Sequence, residues 1–260
     1  MGETIGTRSQ LLDALLDMGE LLLGCGAEIS RVEDTLRRLS HAYGCEGAEI
    51  FVIPSIVSIT LRFPGGETVT ETRRIRSGGE NDFYRLEKLN ELSRSCCASP
   101  LPMEELQRRL HKLAAGKKPR VCVYFGSVLA AGSFAVFFGG TIWDGIAAAA
   151  FALLICALEE RLGRTELNTV AFNLVISLLV GLAVGALTAL LPVLHMDKIL
   201  IGDIMLLIPG IAMTNAVRNM LVGDTISGVV RLAESLIWAF ALAGGFMVAI
   251  LAVDLMRAAV

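Results

Sequence analysis

Charge is scarce in this 260-residue chain: Asp, Glu, Lys and Arg make up 19% of it, against about a quarter in ordinary soluble domains. The hydrophobic share is correspondingly high, at 54%, and a one-piece soluble enzyme or a disordered chain is excluded on that ground. There is no basic excess, since the net charge is −3 and neither half is net positive; that argues against nucleic-acid binding. Six cysteines are present but none forms a CxxC pair, and Cys96 and Cys97 are adjacent, a poor geometry for mutual bridging. His41, His111 and His195 do not lie near them at ligand spacing, so no metal site and no disulfide framework is expected, only thiols in a reducing compartment. The N-terminus has no basic stretch leading into an apolar run, which excludes a secretory signal, and Gly6 stands where myristoylation requires Ser or Thr. No GxxxxGK[ST], GxSxG or HExxH occurs, and Gly24-Cys25-Gly26 lacks the third glycine and the preceding strand of a dinucleotide loop. No cofactor is expected.

What is present is unevenly spread. Residues 1–120 hold 17 basic and 17 acidic side chains; residues 121–260 hold 6 and 9. Two objects are therefore expected: an α+β domain over 1–116 and a membrane domain over 117–260. In the first, residues 9–43 read as helix, with Leu11, Leu12, Leu15, Leu16, Leu22 and Leu23 on one face and Ile29, Val32, Leu36, Leu39 and Tyr43 on another. Gly24-Cys25-Gly26 should kink it, and Ser30-x-x-Glu33 reads as a capping box that restarts it. Glu28/Arg31, Glu33/Arg37 and Asp34/Arg38 are at i,i+3 or i,i+4 spacing, the pattern of a solvated, salt-paired face. Residues 47–76 turn to β-branched and alternating patterns around Pro64-Gly65-Gly66, which predicts a three-stranded meander with Pro54 at a link. Residues 81–96 and 102–114 return to helical patterning. Arg73, Arg74 and Arg76 read as a solvated strand end.

Lys117, Lys118, Pro119 and Arg120 close that domain. Five apolar stretches follow, at about 121–140, 142–158, 170–194, 199–217 and 226–253, with a charged break that includes Glu159, Arg161 and Glu166 after the second. The fold class is thus an α-helical integral membrane protein with five transmembrane helices and an N-terminal cytoplasmic α+β domain. With residues 1–120 inside, the cytoplasmic flanks hold Lys117, Lys118, Arg120, Arg161, Arg164, Arg218 and Arg231, and the outer flanks only Lys198 and Arg257. That asymmetry predicts a cytoplasmic N-terminus and an outside C-terminus in a cell (inner) membrane. Gly181-x-x-x-Gly185, Gly132 and Gly244-Gly245 mark close helix packing.

The fourth stretch carries the chemistry. Pro209 removes a backbone donor and Gly210 loosens the chain beside it. A helix interrupted at membrane depth frees carbonyls and amides that protein, water or solute must satisfy. Thr214, Asn215 and Arg218 follow within one to two turns and present hydroxyl, amide and guanidinium to a small anion or zwitterion. The plainer account is a proline kink, with Asn215 bonding a neighbouring helix and Arg218 snorkelling to the interface. Asp203 and Glu234 are ionisable groups inside apolar stretches, candidates for ion coupling. Asp203 near the outer interface would be solvated, and Arg231-x-x-Glu234 would form a local ion pair. Asn173 is a weaker polar candidate.

Two motifs resemble the threonine/serine exporter (ThrE-like) family. One runs from Leu22 to Thr35 through Gly26, Glu28, Arg31 and Glu33. The other reads Pro209-Gly210-x-x-x-Thr214-Asn215-x-x-Arg218-Asn219-x-x-x-Gly223-Asp224-x-x-Ser227-Gly228-x-x-Arg231. Asn219 stands where the family motif is expected to be acidic. Ending after five spans, the chain is similar to the split form of the family, in which a YjjP-like subunit works with a separate small YjjB-like membrane subunit of about five spans. The resemblance implies export of threonine and serine or of dicarboxylates such as succinate. It also implies roles for Pro209, Gly210, Asn215, Gly223, Asp224, Gly228 and Arg231, with Asp224 among the ionisable candidates. Five spans alone cannot make paired repeats, so a five-span partner, or self-association into a homo-oligomer, would complete the carrier. The rival readings are a membrane-anchored enzyme acting on a lipid or small molecule, for which residues 1–120 offer no convincing nucleophile–base pair, and an assembly subunit with no solute site of its own.

Overall fold

A computed structural model describes residues 2–75, 82–116, 120–162 and 168–258. The expected linker at Lys117, Lys118 and Pro119, and also Arg76, Arg164 and Glu166, lie outside the described residues. The elements in order are α1 (Gly2–Gly24), α2 (Ile29–Ala42), β1 (Gly47–Ile53), β2 (Ile56–Arg62), β3 (Thr68–Arg74), α3 (Phe83–Ala98), α4 (Met103–Ala115), α5 (Arg120–Phe137), α6 (Ile142–Leu162), α7 (Thr169–Leu190), α8 (Met196–Leu207), α9 (Gly210–Leu221) and α10 (Thr225–Ala258). They fall into two compact units: Met1–Lys118 with Thr214–Arg231, and Pro119–Met213 with Leu232–Val260.

In the N-terminal unit the long expected helix is two helices. Gly26 adopts φ +83°, a conformation that side-chain-bearing residues rarely take, and the chain turns there. The helix restarts at Ile29 with Glu28 as its N-cap, so Ser30 lies inside the helix and the expected capping box does not form. Glu33 instead accepts a hydrogen bond from the Val52 amide at 3.1 Å. The three strands pair antiparallel in the order β1-β2-β3. On β2 the period of two turns Val57, Ile59 and Leu61 into the core against Leu15, Leu16, Leu36 and Leu89, all fully buried. The opposite face is polar and laced across the strands, with Ser58 and Thr72 hydroxyls 2.9 Å apart and those of Thr60 and Thr70 2.8 Å apart. Arg73 is not a solvated strand end: its guanidinium meets Asp13 at 3.4 Å, Glu20 at 3.7 Å and also Asp17, all on α1.

In the other unit, α5, α6 and α7 are each long and apolar enough to cross a membrane, as is the 34-residue α10. The expected fourth stretch is two helices, α8 and α9, bent by 52° at the break; counted as one span, the pair brings the candidate spans to five. The break follows from the proline. Pro209 has no amide hydrogen, Ile208 is extended at ψ 129°, and the Gly210 amide turns back to the Ile208 carbonyl at 2.8 Å. The helices pack through small residues. A Cβ on Gly202 would lie 2.6 Å from the Ala131 carbonyl oxygen, 3.1 Å from the Ala135 Cβ and 3.2 Å from the Ala148 Cβ, which locks α8 onto α5 and α6. Gly181 faces Ala249 and Phe246, and Gly185 faces Val253, so the GxxxG stripe of α7 seats α10. Outer faces carry large exposed apolar side chains, Phe125, Phe137, Trp143 and Phe240 among them, a surface suited to hydrocarbon and not to water.

Candidate functional site

The two family-like motifs meet in the N-terminal unit. Glu28, at the turn set by Gly26, makes no side-chain cap bond to its own helix. Its Oε1 accepts from Arg218 Nη1 at 2.6 Å, across 190 residues of chain. Arg31 approaches the other oxygen of the same carboxylate at 3.8 Å. Asp34 pairs with Arg38 at 2.9 Å on the exposed side of α2, as the spacing predicts. Between α9 and α10, Gly223 takes φ +99° and Asp224 is half-buried, its amide donating to the Asn219 carbonyl at 2.9 Å. Asn219 is buried, a place where a neutral amide costs less than a carboxylate. Ser227 and Gly228 are buried at the start of α10, and a Cβ on Gly228 would lie 2.8 Å from the Ala216 carbonyl oxygen. Thr214 is exposed; Asn215 and Arg231 are half-buried. No acceptor or donor meets the Asn215 amide among the described residues, so it does not bond a neighbouring helix there.

Burial pushes the Glu33 carboxyl above the usual glutamate range; the Asp224 carboxylate adds to the rise, and the Val52 amide and Arg37 offset part of it. A carboxyl raised in the folded protein holds its proton more tightly there than in the unfolded chain. Its contribution to stability is full at acid pH and is lost as pH climbs through the raised value. Glu33→Gln keeps an acceptor for Val52 and has no charge to lose. Relative to the wild-type protein, its melting temperature should therefore rise as pH is taken from acid to neutral. Differential scanning fluorimetry at both pH values reads this, and parallel curves for the two proteins would remove Glu33 as the cause.

Among the described residues, the membrane unit holds two buried carboxylates of opposite character. Asp144 is fully buried and saturated with donors: the Thr141 amide at 2.7 Å, the Thr141 hydroxyl at 2.8 Å, the His195 amide at 2.7 Å and His195 Nδ1 at 3.0 Å. The Asp144 amide returns a bond to the Thr141 hydroxyl at 3.2 Å. Thr141-x-x-Asp144 is thus a reciprocal capping box at the start of α6, and that spacing is visible in the sequence; the link to His195 has no local signal. Asp203, on α8, is as deeply buried, and neither carboxylate oxygen has a hydrogen-bond partner among the described residues. It is therefore not a solvated interface group. Pro209 and Gly210 form the break before α9, and Glu234 is exposed on α10. Asn173 offers its backbone carbonyl to the Ser177 hydroxyl at 2.8 Å.

A family profile described as "Putative threonine/serine exporter" matches residues 13–253. The chain belongs to that family. It is also 24% identical over 214 residues to the "Probable succinate transporter subunit YjjP" of Klebsiella aerogenes, which covers 82% of this chain and 82% of that protein. No solved structure matches. Membership in an exporter family, together with four to five helices long and apolar enough to span a bilayer, makes this exporter-family protein a multi-pass membrane protein.

Proposed function

We propose that this ThrE-family chain is one subunit of a secondary-active exporter of small carboxylate-bearing metabolites, threonine- or serine-type amino acids or dicarboxylates such as succinate. It works with a second five-span subunit in the inner membrane, with its N-terminus in the cytoplasm and its C-terminus outside. Thr214 and Asn215 hold the solute's carboxylate, and Arg218 or Arg231 balances its charge. Asp203 carries the coupling proton, a role that its partnerless, buried carboxylate suits better than the exposed Glu234. The relative's printed name supports a subunit of a succinate carrier, and the family's description supports amino-acid export.

The observation that carries this reading is the bent fourth span, followed one to two turns later by a half-buried amide with no partner among the described residues. A hydrogen bond to a charged group contributes about 1.5–3 kcal/mol. Asn215→Ala should therefore slow efflux of labelled threonine or succinate from cells by at least about tenfold, with membrane insertion unchanged. Wild-type efflux from that variant removes Asn215 from the site.

A further inference from the structure

The ion pair between Glu28 and Arg218 has a shape that local stabilisation does not explain. Glu28 stands at the N-cap of α2, where its carboxylate is placed to serve its own helix's free amides, yet it makes no such bond and reaches α9 instead. The two partners are unequally covered. The Glu28 side chain is 19% exposed and that of Arg218 is 53% exposed. A guanidinium has five N–H donors, and Nη1 is the one with a hydrogen bond to protein among the described residues. Arg31, 76% exposed, stands 3.8 Å behind the same carboxylate.

We propose that Glu28 is an internal stand-in for the solute: its carboxylate occupies Arg218 while the site is empty, and a solute carboxylate must displace it to bind. This rests on the reading that Arg218 receives the solute's negative charge. Glu28 takes the Nη1 donor that an end-on, two-pronged carboxylate pair would use, so a solute carboxylate that grips that end of Arg218 does so by exchange. Arg31 keeps the released Glu28 paired, which lowers the cost of the exchange and accounts for the Glu28-x-x-Arg31 spacing. A site closed by its own side chain binds with an apparent affinity reduced by the fraction of time it is open. The consequence is a solute-operated latch: an empty carrier holds the start of α2 against α9, and an occupied one lets it go.

The test is equilibrium binding of radiolabelled threonine and, separately, succinate to the purified full chain in detergent. Partly exposed ion pairs are weak, so Glu28→Gln should bind about two- to fivefold more tightly than the wild-type protein, and Arg218→Gln should lose binding. If Glu28→Gln binds no more tightly while Arg218→Gln still loses the solute, the latch falls and Arg218 keeps its role. If Arg218→Gln binds like the wild-type protein, or no variant binds either solute saturably, both readings fall. Should Glu28→Gln lack a melting transition, Glu28→Asp takes its place: the shortened carboxylate reaches Arg218 less well, and its affinity must lie above that of the wild-type protein for the latch to stand.

Discussion

Asp203→Ala should melt at a higher temperature than the wild-type protein and export nothing. The carboxylate lies fully buried on α8 with no partner for either oxygen among the described residues. A buried polar group without a hydrogen bond costs about 1–3 kcal/mol, and removing it next to Gly202 and the alanines it faces leaves a small apolar gap. An alanine of high helix propensity in its place adds to the gain. Loss of export follows from the proposed coupling role, since Asp144, the other buried carboxylate among the described residues of this unit, is already bonded to Thr141 and His195. Thermal denaturation in detergent and proton-driven efflux, measured on one preparation, read both halves. A variant that melts lower shows that Asp203 has a partner it depends on; a variant that melts higher and still exports shows that coupling lies elsewhere.

Gly245→Ala should be among the most damaging single-methyl changes in the membrane unit. A Cβ at this position would meet the Ser177 hydroxyl and would lie 2.5 Å from the Leu174 carbonyl oxygen and 3.0 Å from the Leu178 amide nitrogen. Two of those three neighbours are helix backbone, which cannot swing aside. Overpacking in a tight core costs about 1–3 kcal/mol, and Gly245→Leu should exceed that range and prevent recovery of a monodisperse protein. Ser177→Gly added to Gly245→Ala removes only the hydroxyl obstacle, so it should restore part of the lost melting temperature and not all of it. Full restoration would mean that the backbone of α7 moves more readily than the packing implies, and no loss in Gly245→Ala alone would mean that α7 and α10 do not meet there.

The features legible in the sequence were those with a local cause. The β-branched run around Ile59 with the Pro64-Gly65-Gly66 turn marked the meander, and Gly181-x-x-x-Gly185 marked a helix contact, because strand alternation and small-residue spacing act over a few residues. Pro209 marked the break in the fourth span but not its 52° bend, which depends on how Ile208 and Gly210 settle. Ser30-x-x-Glu33 matched a capping pattern and formed none, since Gly26 had already set the turn earlier and the Val52 amide competed for Glu33. Nothing in the sequence joined Glu28 to Arg218, or Asp144 to His195. Long-range pairing of charges depends on the folded backbone, and a one-dimensional pattern carries no trace of it. Asp203 was legible as a costly ionisable group; its depth was not, because hydropathy alone places a side chain along a helix and not around it.

Asp144 gathers the junction between α5 and α6 and the junction between α7 and α8 onto a single carboxylate. Four helix ends are thereby riveted at one point, like the ribs of a fan at its pin. Any rearrangement that leaves those bonds intact is confined to a spreading of the opposite ends.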